Sequence, residues 1–414
     1  MPFQHKPQAT SGTVEAPPLA PPLAPSIRTP REAIAARSRR YTAIGVAFFV
    51  FLAILAWPFT IAHLQAIAVL DQVANKPVYE PLRWFITDPV ATSDVTLQLP
   101  DGPIRARLYT PVHRPNAPTI IVLHGVHYLG IDEPRLVAFA SAMSSCGLRV
   151  LTPELPDIKD YHIGPNSIDT IGNAAAWLSS QQHHRPVGIL GLSFSGSLSL
   201  LAAARPSFNP YIKFVVAIGS EDEMSRVADY YRTGEDPRPN GTAELLRPHE
   251  YGALVLEYED LEDFVPRADL APLRAVLRAH LYENDFAETA ALARLTPKQT
   301  VEAELLMDTT LPSTRRRLAA DEALHLQGMA GVSPHGHLAH LTTPVYLLHG
   351  EADNIIPSAE TQWLEAELPP NTLKASLISP VLSHLDIDGK DPTAADQFRL
   401  VHFFALILHA AESR

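Results

Sequence analysis

The most informative stretch of this chain is Gly191-Leu192-Ser193-Phe194-Ser195-Gly196. An apolar run, 187–190, precedes it, and a helix-prone run, 197–204, follows it. A strand that turns sharply into a helix needs small residues around the turn, and the turn lifts a serine hydroxyl clear of the sheet. The next backbone N–H and the helix N-terminus can then stabilise an oxyanion. The pattern predicts that Ser193 is a nucleophile and that Phe194 donates to the oxyanion.

The alternative for Ser193 is an ordinary helix N-cap, which is a common position for serine. A cap does not explain the flanking glycines or the acid and base that follow later in the chain. The motif also departs from G-x-S-x-G, because Ser195 stands where the last glycine is expected.

Two later segments supply that acid and base. The apolar run Val345–Gly350 predicts a buried strand, and Asp353 lies in the loop after it. A further short strand is predicted at 374–378, and His384 follows it on a loop before the last helix. The order serine, aspartate, histidine suits a catalytic triad. Asp353 could instead cap a helix and His384 could be a solvated loop residue, and three other acidic residues could supply the carboxylate: Glu351, Asp222 and Glu221.

With Leu123-His124-Gly125 after an earlier apolar run, these motifs resemble those of the α/β-hydrolase superfamily, from about residue 95 to the C-terminus. The resemblance implies that Ser193 attacks an acyl carbon, that His384 takes its proton, and that Asp353 orients the histidine. It also implies an oxyanion hole formed by the backbone N–H groups of Phe194 and Val126.

Strand and helix signals alternate after residue 95, which predicts an α/β fold with a doubly wound, mostly parallel sheet and a site at the carboxyl ends of its strands. Antiparallel edge strands are predicted at 95–99 and 104–109 around Pro100-Asp101-Gly102. The alternation stops between 220 and 341, where the sequence predicts a helical cap. The hydrolase core is thus expected at 71–219 and 342–414.

The N-terminal region is predicted to have two parts. Residues 1–40 are rich in proline and are expected to form an extended tail. Residues 41–70 contain no Asp, Glu, Lys or Arg, and they are long enough for a transmembrane anchor. A cleaved signal peptide and a buried core helix are the alternatives. Several arginines precede the segment, so we expect a cytoplasmic tail and a catalytic domain on the non-cytoplasmic side of the membrane.

Charge and cysteine content argue against several other classes of protein and site. The net charge of −12 and the lack of a basic stripe argue against nucleic acid as a partner. The single cysteine, Cys146, excludes an internal disulfide and is expected to be a small core residue. Histidines at two places, His335-x-His337-x-x-His340 and His124-x-x-His127, raise a metal hypothesis, but neither shows a recognised ligand motif. We expect no metal or cofactor.

An acidic cluster in the cap region could be mistaken for catalytic carboxylates, but a solvated helix face is the favoured interpretation; its members are Glu257, Glu259, Asp260, Glu262 and Asp263. The sequence thus predicts a membrane-anchored serine hydrolase that cleaves a carboxylic ester of a small-molecule acyl substrate. Two alternatives stay open: a serine peptidase or acyltransferase with the same triad, and a catalytically silent binding module.

Overall fold

A computed structural model describes residues 30–383 and 392–413. The chain divides into two compact units, Met1–Trp57 and Pro58–Arg414. The second unit holds an eight-stranded sheet of order β1-β2-β4-β3-β5-β6-β9-β10 and a separate hairpin, β7-β8. The strands are β1 (Val90–Leu99), β2 (Gly102–Pro111), β3 (Thr119–Leu123), β4 (Arg149–Pro153), β5 (Val187–Leu192), β6 (Ile212–Ile218), β7 (Glu235–Pro237), β8 (Ala243–Leu245), β9 (Val345–Gly350) and β10 (Leu373–Ser379).

The large sheet confirms the predicted α/β architecture. Its first two strands form an antiparallel hairpin, β2 runs antiparallel to β4, and the remaining neighbours are parallel. The central strands are nearly continuous apolar runs because both of their faces are covered, as is usual for parallel strands. All five residues of β3 and all six of β9 are buried.

Helices cover both faces of this sheet. The helices of the described residues, in chain order, are α1 (Pro30–Val73), α2 (Glu80–Ile86), α3 (Pro134–Ser145), α4 (Pro156–Lys159), α5 (Pro165–Gln181), α6 (Phe194–Ala204), α7 (Met224–Thr233), α8 (Glu250–Glu259), α9 (Leu261–Phe264), α10 (Leu270–Leu281), α11 (Asp285–Leu292), α12 (Pro297–Met307), α13 (Pro312–Val332), α14 (Ala359–Glu367) and α15 (Ala394–Glu412), with 3-10 turns at Gly130–Asp132 and Asn209–Tyr211. One apolar core packs α5, α6 and the segment between β6 and β9 against the sheet, and a second packs α3, α15 and the end of α1 against the other face. Helices α7 to α13 and the small hairpin make up the insertion.

The carboxyl-terminal part of the predicted anchor belongs to the globular unit. Ala62, Ala66 and Val69 are buried in the second core, and the Gln65 amide donates to the Cys146 carbonyl oxygen at 2.7 Å. The expected anchor boundary at residue 70 is therefore wrong. An apolar helix without charges has the same composition whether lipid or protein covers it, so hydropathy alone could not locate this boundary.

Within the described residues, no single helix meets the length and hydropathy required to cross a membrane. Two helical segments, Ile44–Leu52 and Ala56–Val73, meet that requirement only when taken together.

The expected extended tail also needs a correction. Residues 1–29 lie outside the described residues, but α1 begins at Pro30 and not at residue 41. The stretch 31–40 contains no proline and is rich in alanine and arginine, which favour helix, and proline is well tolerated at a first helical position.

The acidic cluster of the cap is solvated only in part: Glu262 and Asp263 are exposed, as expected, but its other members are covered to different degrees. Glu257 is fully buried, and Glu259 accepts a hydrogen bond from the Ile163 backbone N–H at 3.1 Å. The spacing of charges along a helix could not reveal the burial of Glu257, because that burial depends on contacts with residues distant in the sequence.

Candidate active site

Ser193 occupies a strained turn between β5 and α6. Its φ of 55° and ψ of −137° lie outside the regions that non-glycine residues ordinarily adopt. Such backbone costs on the order of 1–3 kcal/mol and persists only where its surroundings hold it. A Cβ on Gly191 would lie 2.5 Å from the Ser195 carbonyl oxygen, and one on Gly196 would lie 2.0 Å from Ser220 Oγ. The two glycines are therefore steric requirements of the turn.

The ends of the neighbouring strands are joined to this turn by backbone hydrogen bonds. The Ser193 N–H donates to the Ile218 carbonyl at 2.8 Å, and the Gly219 N–H donates to the Leu348 carbonyl at 2.8 Å. The carboxyl ends of β5, β6 and β9 therefore lie side by side, with Ser193 after the first and Asp353 after the last. Asp353 is fully buried, and the backbone N–H groups of Ile355 and Ile356 donate to its Oδ1 at 2.9 and 3.0 Å.

His384 lies outside the described residues, but the residue before it does not. The Ser383 carbonyl oxygen approaches the end of β9 so closely that a Cβ on Gly350 would lie 1.7 Å from it. The segment that leads into His384 therefore reaches the same edge of the sheet as the Asp353 loop. An elbow after β5, an acid after β9 and this returning segment on one mostly parallel sheet identify the architecture. The chain has the α/β-hydrolase fold.

In this hydrolase fold, Ser195 has a role that the motif alone did not reveal. Its side chain is fully buried, and Oγ donates to the His124 carbonyl oxygen at 2.5 Å. The hydroxyl thus joins the first turn of α6 to the loop after β3, which carries Val126. A glycine at this position could not make that bond.

Hydrogen bonds of the His124 side chain and of the cap residue Tyr251 also hold the loop after β3. His124 is buried; its Nδ1 bonds the Gly125 carbonyl at 2.8 Å, and its Nε2 accepts from the Leu155 N–H at 3.0 Å. Burial lowers the pKa of His124 to about 4, so the imidazole is neutral at pH 7. From the cap, the Tyr251 hydroxyl donates to the Val126 carbonyl at 2.8 Å. Val126 is itself buried, and Tyr251 had no signal in the sequence because its contact depends on how the cap packs.

The structure separates Asp353 from the alternative carboxylates. Glu351 is exposed. Asp222 binds the Arg226 guanidinium at 2.8 Å. Glu221 is fully buried, and this burial raises its pKa well above the usual value. A carboxyl group that stays neutral cannot stabilise an imidazolium, so Asp353 is the best placed of the four.

A cavity of about 300 Å³ borders the elbow on the sheet face that carries α3 and α15. Leu192 and Ile218 line it beside Ser193, Leu382 lines it next to the histidine segment, and Leu70 and Val73 contribute a wall from α1. Glu133 and Arg135 add polar groups, and they bind each other at 2.7 Å. The cavity is largely apolar and of a size that suits part of a small ligand.

Of the histidines that raised a metal hypothesis, His124 is a structural residue of the loop after β3. His335 contacts Asp222 and Glu367. His337 Nδ1 bonds the Ser333 carbonyl at 3.1 Å, and His127 accepts from the Leu129 N–H at 3.2 Å.

No protein-family model and no curated protein matches the sequence. Among solved structures, the chain is similar to a candidate lipase of Acinetobacter baumannii, with 17% identity and a TM-score of 0.42 over 77% of this chain and 92% of the other. It is also similar to an esterase of Pyrobaculum calidifontis, with 16% identity and a TM-score of 0.39 over 85% and 90% of the two chains. A bacterial membrane phospholipase A has 13% identity and a TM-score of 0.39 over 87% and 97%.

Proposed function

We propose that the protein is a serine hydrolase that cleaves carboxylic esters through an acyl-enzyme on Ser193. The observation that carries the proposal is the strained Ser193 elbow on the same sheet edge as the buried, backbone-anchored Asp353. The Ser383 carbonyl against Gly350 brings the segment before His384 to that edge. Backbone strain at a serine beside an anchored acid is costly to maintain, and such strain is concentrated at functional sites.

The chemistry follows from this arrangement. His384 removes the Ser193 hydroxyl proton while Oγ bonds the ester carbonyl carbon, and the negative charge on the carbonyl oxygen is stabilised by the Phe194 and Val126 N–H groups. The carbon–oxygen bond to the alcohol then breaks, and the alcohol leaves with the proton from His384. Water, deprotonated by the same histidine, attacks the acyl carbon; the bond from that carbon to Ser193 Oγ breaks, His384 returns the proton to Oγ, and the carboxylic acid is released.

The cavity beside the elbow supports an apolar acyl or alcohol group as part of the substrate. A cavity of 150 Å³ is known to hold benzene, so about 300 Å³ offers room for roughly ten to twelve carbon atoms. We therefore expect medium-chain esters to be cleaved with higher kcat/KM than acetates.

The test uses the purified full chain, a fluorophosphonate probe and a panel of p-nitrophenyl esters, thioesters and peptides. The wild type should be labelled and should hydrolyse esters, and Ser193→Ala should keep its melting temperature while losing both properties. The matched control is Ser180→Ala on the surface of α5, which should behave as the wild type. Labelling that persists in Ser193→Ala, or cleavage of peptides alone, would contradict the proposal.

The proposal includes attachment to a membrane through the part of the predicted anchor that precedes the globular unit. Large apolar side chains, among them Phe48, Phe49 and Phe51, are exposed there, and a long exposed apolar run favours contact with lipid. The arginines before it favour a cytoplasmic tail. The protein should stay with membranes after carbonate extraction, and protease should reach the catalytic domain from the non-cytoplasmic side. Release by carbonate would contradict the attachment, and protection until lysis would contradict the orientation.

A further inference from the structure

A cluster of acidic side chains surrounds one histidine in the insertion between β6 and β9. His325 Nε2 lies 2.8 Å from Asp263 Oδ2, 3.7 Å from Asp321 Oδ1 and 3.8 Å from Asp260 Oδ1. Asp321 and His325 are four residues apart on α13, so they share one face of that helix. The other two belong to the junction of α8 and α9. The ligand atoms of Asp260, Asp263 and His325 lie within 4.8 Å of one another, and Asp321 Oδ1 approaches this group beside His325.

Buried carboxylate atoms at this cluster lack partners. Asp321 is 5% exposed, and within the described residues its Oδ1 makes no hydrogen bond. This oxygen is directed towards His325 Nε2, at a distance too long for hydrogen bonding. Glu257, close enough to interact electrostatically with Asp321, is fully buried, and both of its carboxyl oxygens lack a partner in the same part of the chain. Buried polar atoms without partners are rare and costly, so they call for a positive group.

The protein's own cations supply little of that charge. Arg317, whose charge acts on Glu257, is already bound to Glu302. A single imidazole faces three aspartates. Asp321 is 5% exposed, so a further cation would offset the cost of burying its carboxylate.

We propose that Asp260, Asp263, Asp321 and His325 bind a divalent transition-metal ion, for which Zn²⁺ is the probe. Four ligands at about 2.0–2.2 Å around tetrahedral zinc lie roughly 3.4 Å from one another. The observed separations of 2.8, 3.7 and 3.8 Å from the histidine nitrogen bracket that value. Asp260, Asp263 and His325 already place ligand atoms within 4.8 Å of one another, and a side-chain rotation of Asp321 would add the fourth ligand. An imidazole among carboxylates favours zinc over Ca²⁺ and Mg²⁺, which prefer oxygen ligands throughout.

The second acidic cluster with a histidine provides a contrast. Asp222, His335 and Glu367 also converge, but the Arg226 guanidinium binds Asp222 at 2.8 Å. A positive charge is therefore already built into that cluster. The metal proposed at His325 would join α13 to the α8–α9 junction, and it is independent of the hydrolase reaction.

The experiment measures zinc content and melting temperature of the purified full chain after EDTA treatment, incubation with excess Zn²⁺ and dialysis. The wild type should retain one equivalent more zinc than His325→Gln, and zinc should raise its melting temperature by a few degrees but not that of the variant. The control is His280→Gln, a cap histidine that also faces two carboxylates, Glu250 and Glu288; it should retain zinc as the wild type does. Asp321→Asn should weaken zinc binding at least tenfold.

Should Asp321→Asn fail to fold, His325→Gln still decides the question, because the His325 side chain is 34% exposed and carries little packing. Equal zinc content in the wild type and His325→Gln would overturn the proposal. Tighter binding of Ca²⁺ than of Zn²⁺ in competition would overturn the assigned class of metal.

Discussion

Replacing Ser195 tests whether the departure from the elbow motif stabilises the site. The Oγ hydrogen bond to the His124 carbonyl is 2.5 Å long and fully buried. Ser195→Ala keeps the Cβ atom but loses the hydroxyl donor. The His124 carbonyl oxygen then loses this hydrogen bond at a buried position, where water does not replace it. Loss of a buried hydrogen bond of this kind costs about 1–3 kcal/mol in the free energy of unfolding.

The glycine variant separates the hydrogen bond from the backbone. Ser195→Gly restores the usual motif, but it loses the same bond and adds backbone freedom in the first turn of α6. Glycine costs up to about 1 kcal/mol relative to alanine in a helix. We therefore expect Ser195→Gly to be the less stable of the two variants, although it matches the family pattern better.

Catalysis should change as well, because the lost bond holds the loop that carries Val126. A donor that moves away from the oxyanion affects the transition state more than the ground state, so kcat should fall more than KM rises. The assay is urea unfolding of the full chain with ester hydrolysis on the same preparations, and Ser180→Ala on the surface of α5 is the control. Unchanged stability in both Ser195 variants would refute the reasoning, and so would a glycine variant more stable than the wild type.

Two further changes test other parts of the site. Burial lowers the pKa of His124 to about 4 in the folded state, against a usual 6.5, so the unfolded chain takes up a proton first as the pH falls. The contribution of this group to the free energy of unfolding is complete above pH 6.5 and is lost towards pH 4. The total loss is about 3 kcal/mol. The difference in unfolding free energy between the wild type and His124→Asn should shrink by that amount across this range, and a constant difference would contradict the assignment. In Gly350→Ala, the new Cβ would lie 1.7 Å from the Ser383 carbonyl, so the segment before His384 must move. We expect kcat to fall on the order of 100-fold, whereas Gly328→Ala, with no heavy atom of a neighbour within 4 Å of its new Cβ, should be fully active.

Local patterns in the sequence predicted the core of the fold well. The predicted strand at 119–123 coincides with β3. A short continuous apolar run that ends at a turn signal is typical of a buried strand. Asp353 was placed after the correct strand for the same reason. These predictions depend on residues that are close to one another in the sequence, so the sequence alone was sufficient to make them.

Features that depend on distant contacts were missed. The carboxyl-terminal part of α1 contains alanines that pack against α3 and α15, and nothing in that run distinguishes a protein neighbour from lipid. Glu257 was expected on the surface because charged residues usually are, yet it is fully buried. The Tyr251 bond to Val126 joins residues that are 125 positions apart.

These long-range bonds also bear on how a substrate could enter. The cap holds both loops that carry candidate site residues: Tyr251 binds the Val126 carbonyl, and Tyr230 and the His249 N–H bind the Asn354 carbonyl at 3.2 and 2.8 Å. Lifting α7 and α8 away as a rigid body would break these bonds, at a net cost of about 0.5–1.5 kcal/mol for each one, and would also release the loops that carry the candidate oxyanion donor and acid. A cap that opened in this way would dismantle the site it covers. We therefore expect an apolar substrate to enter through the cavity beside α1, on the opposite face of the sheet, while the cap stays attached to the loops.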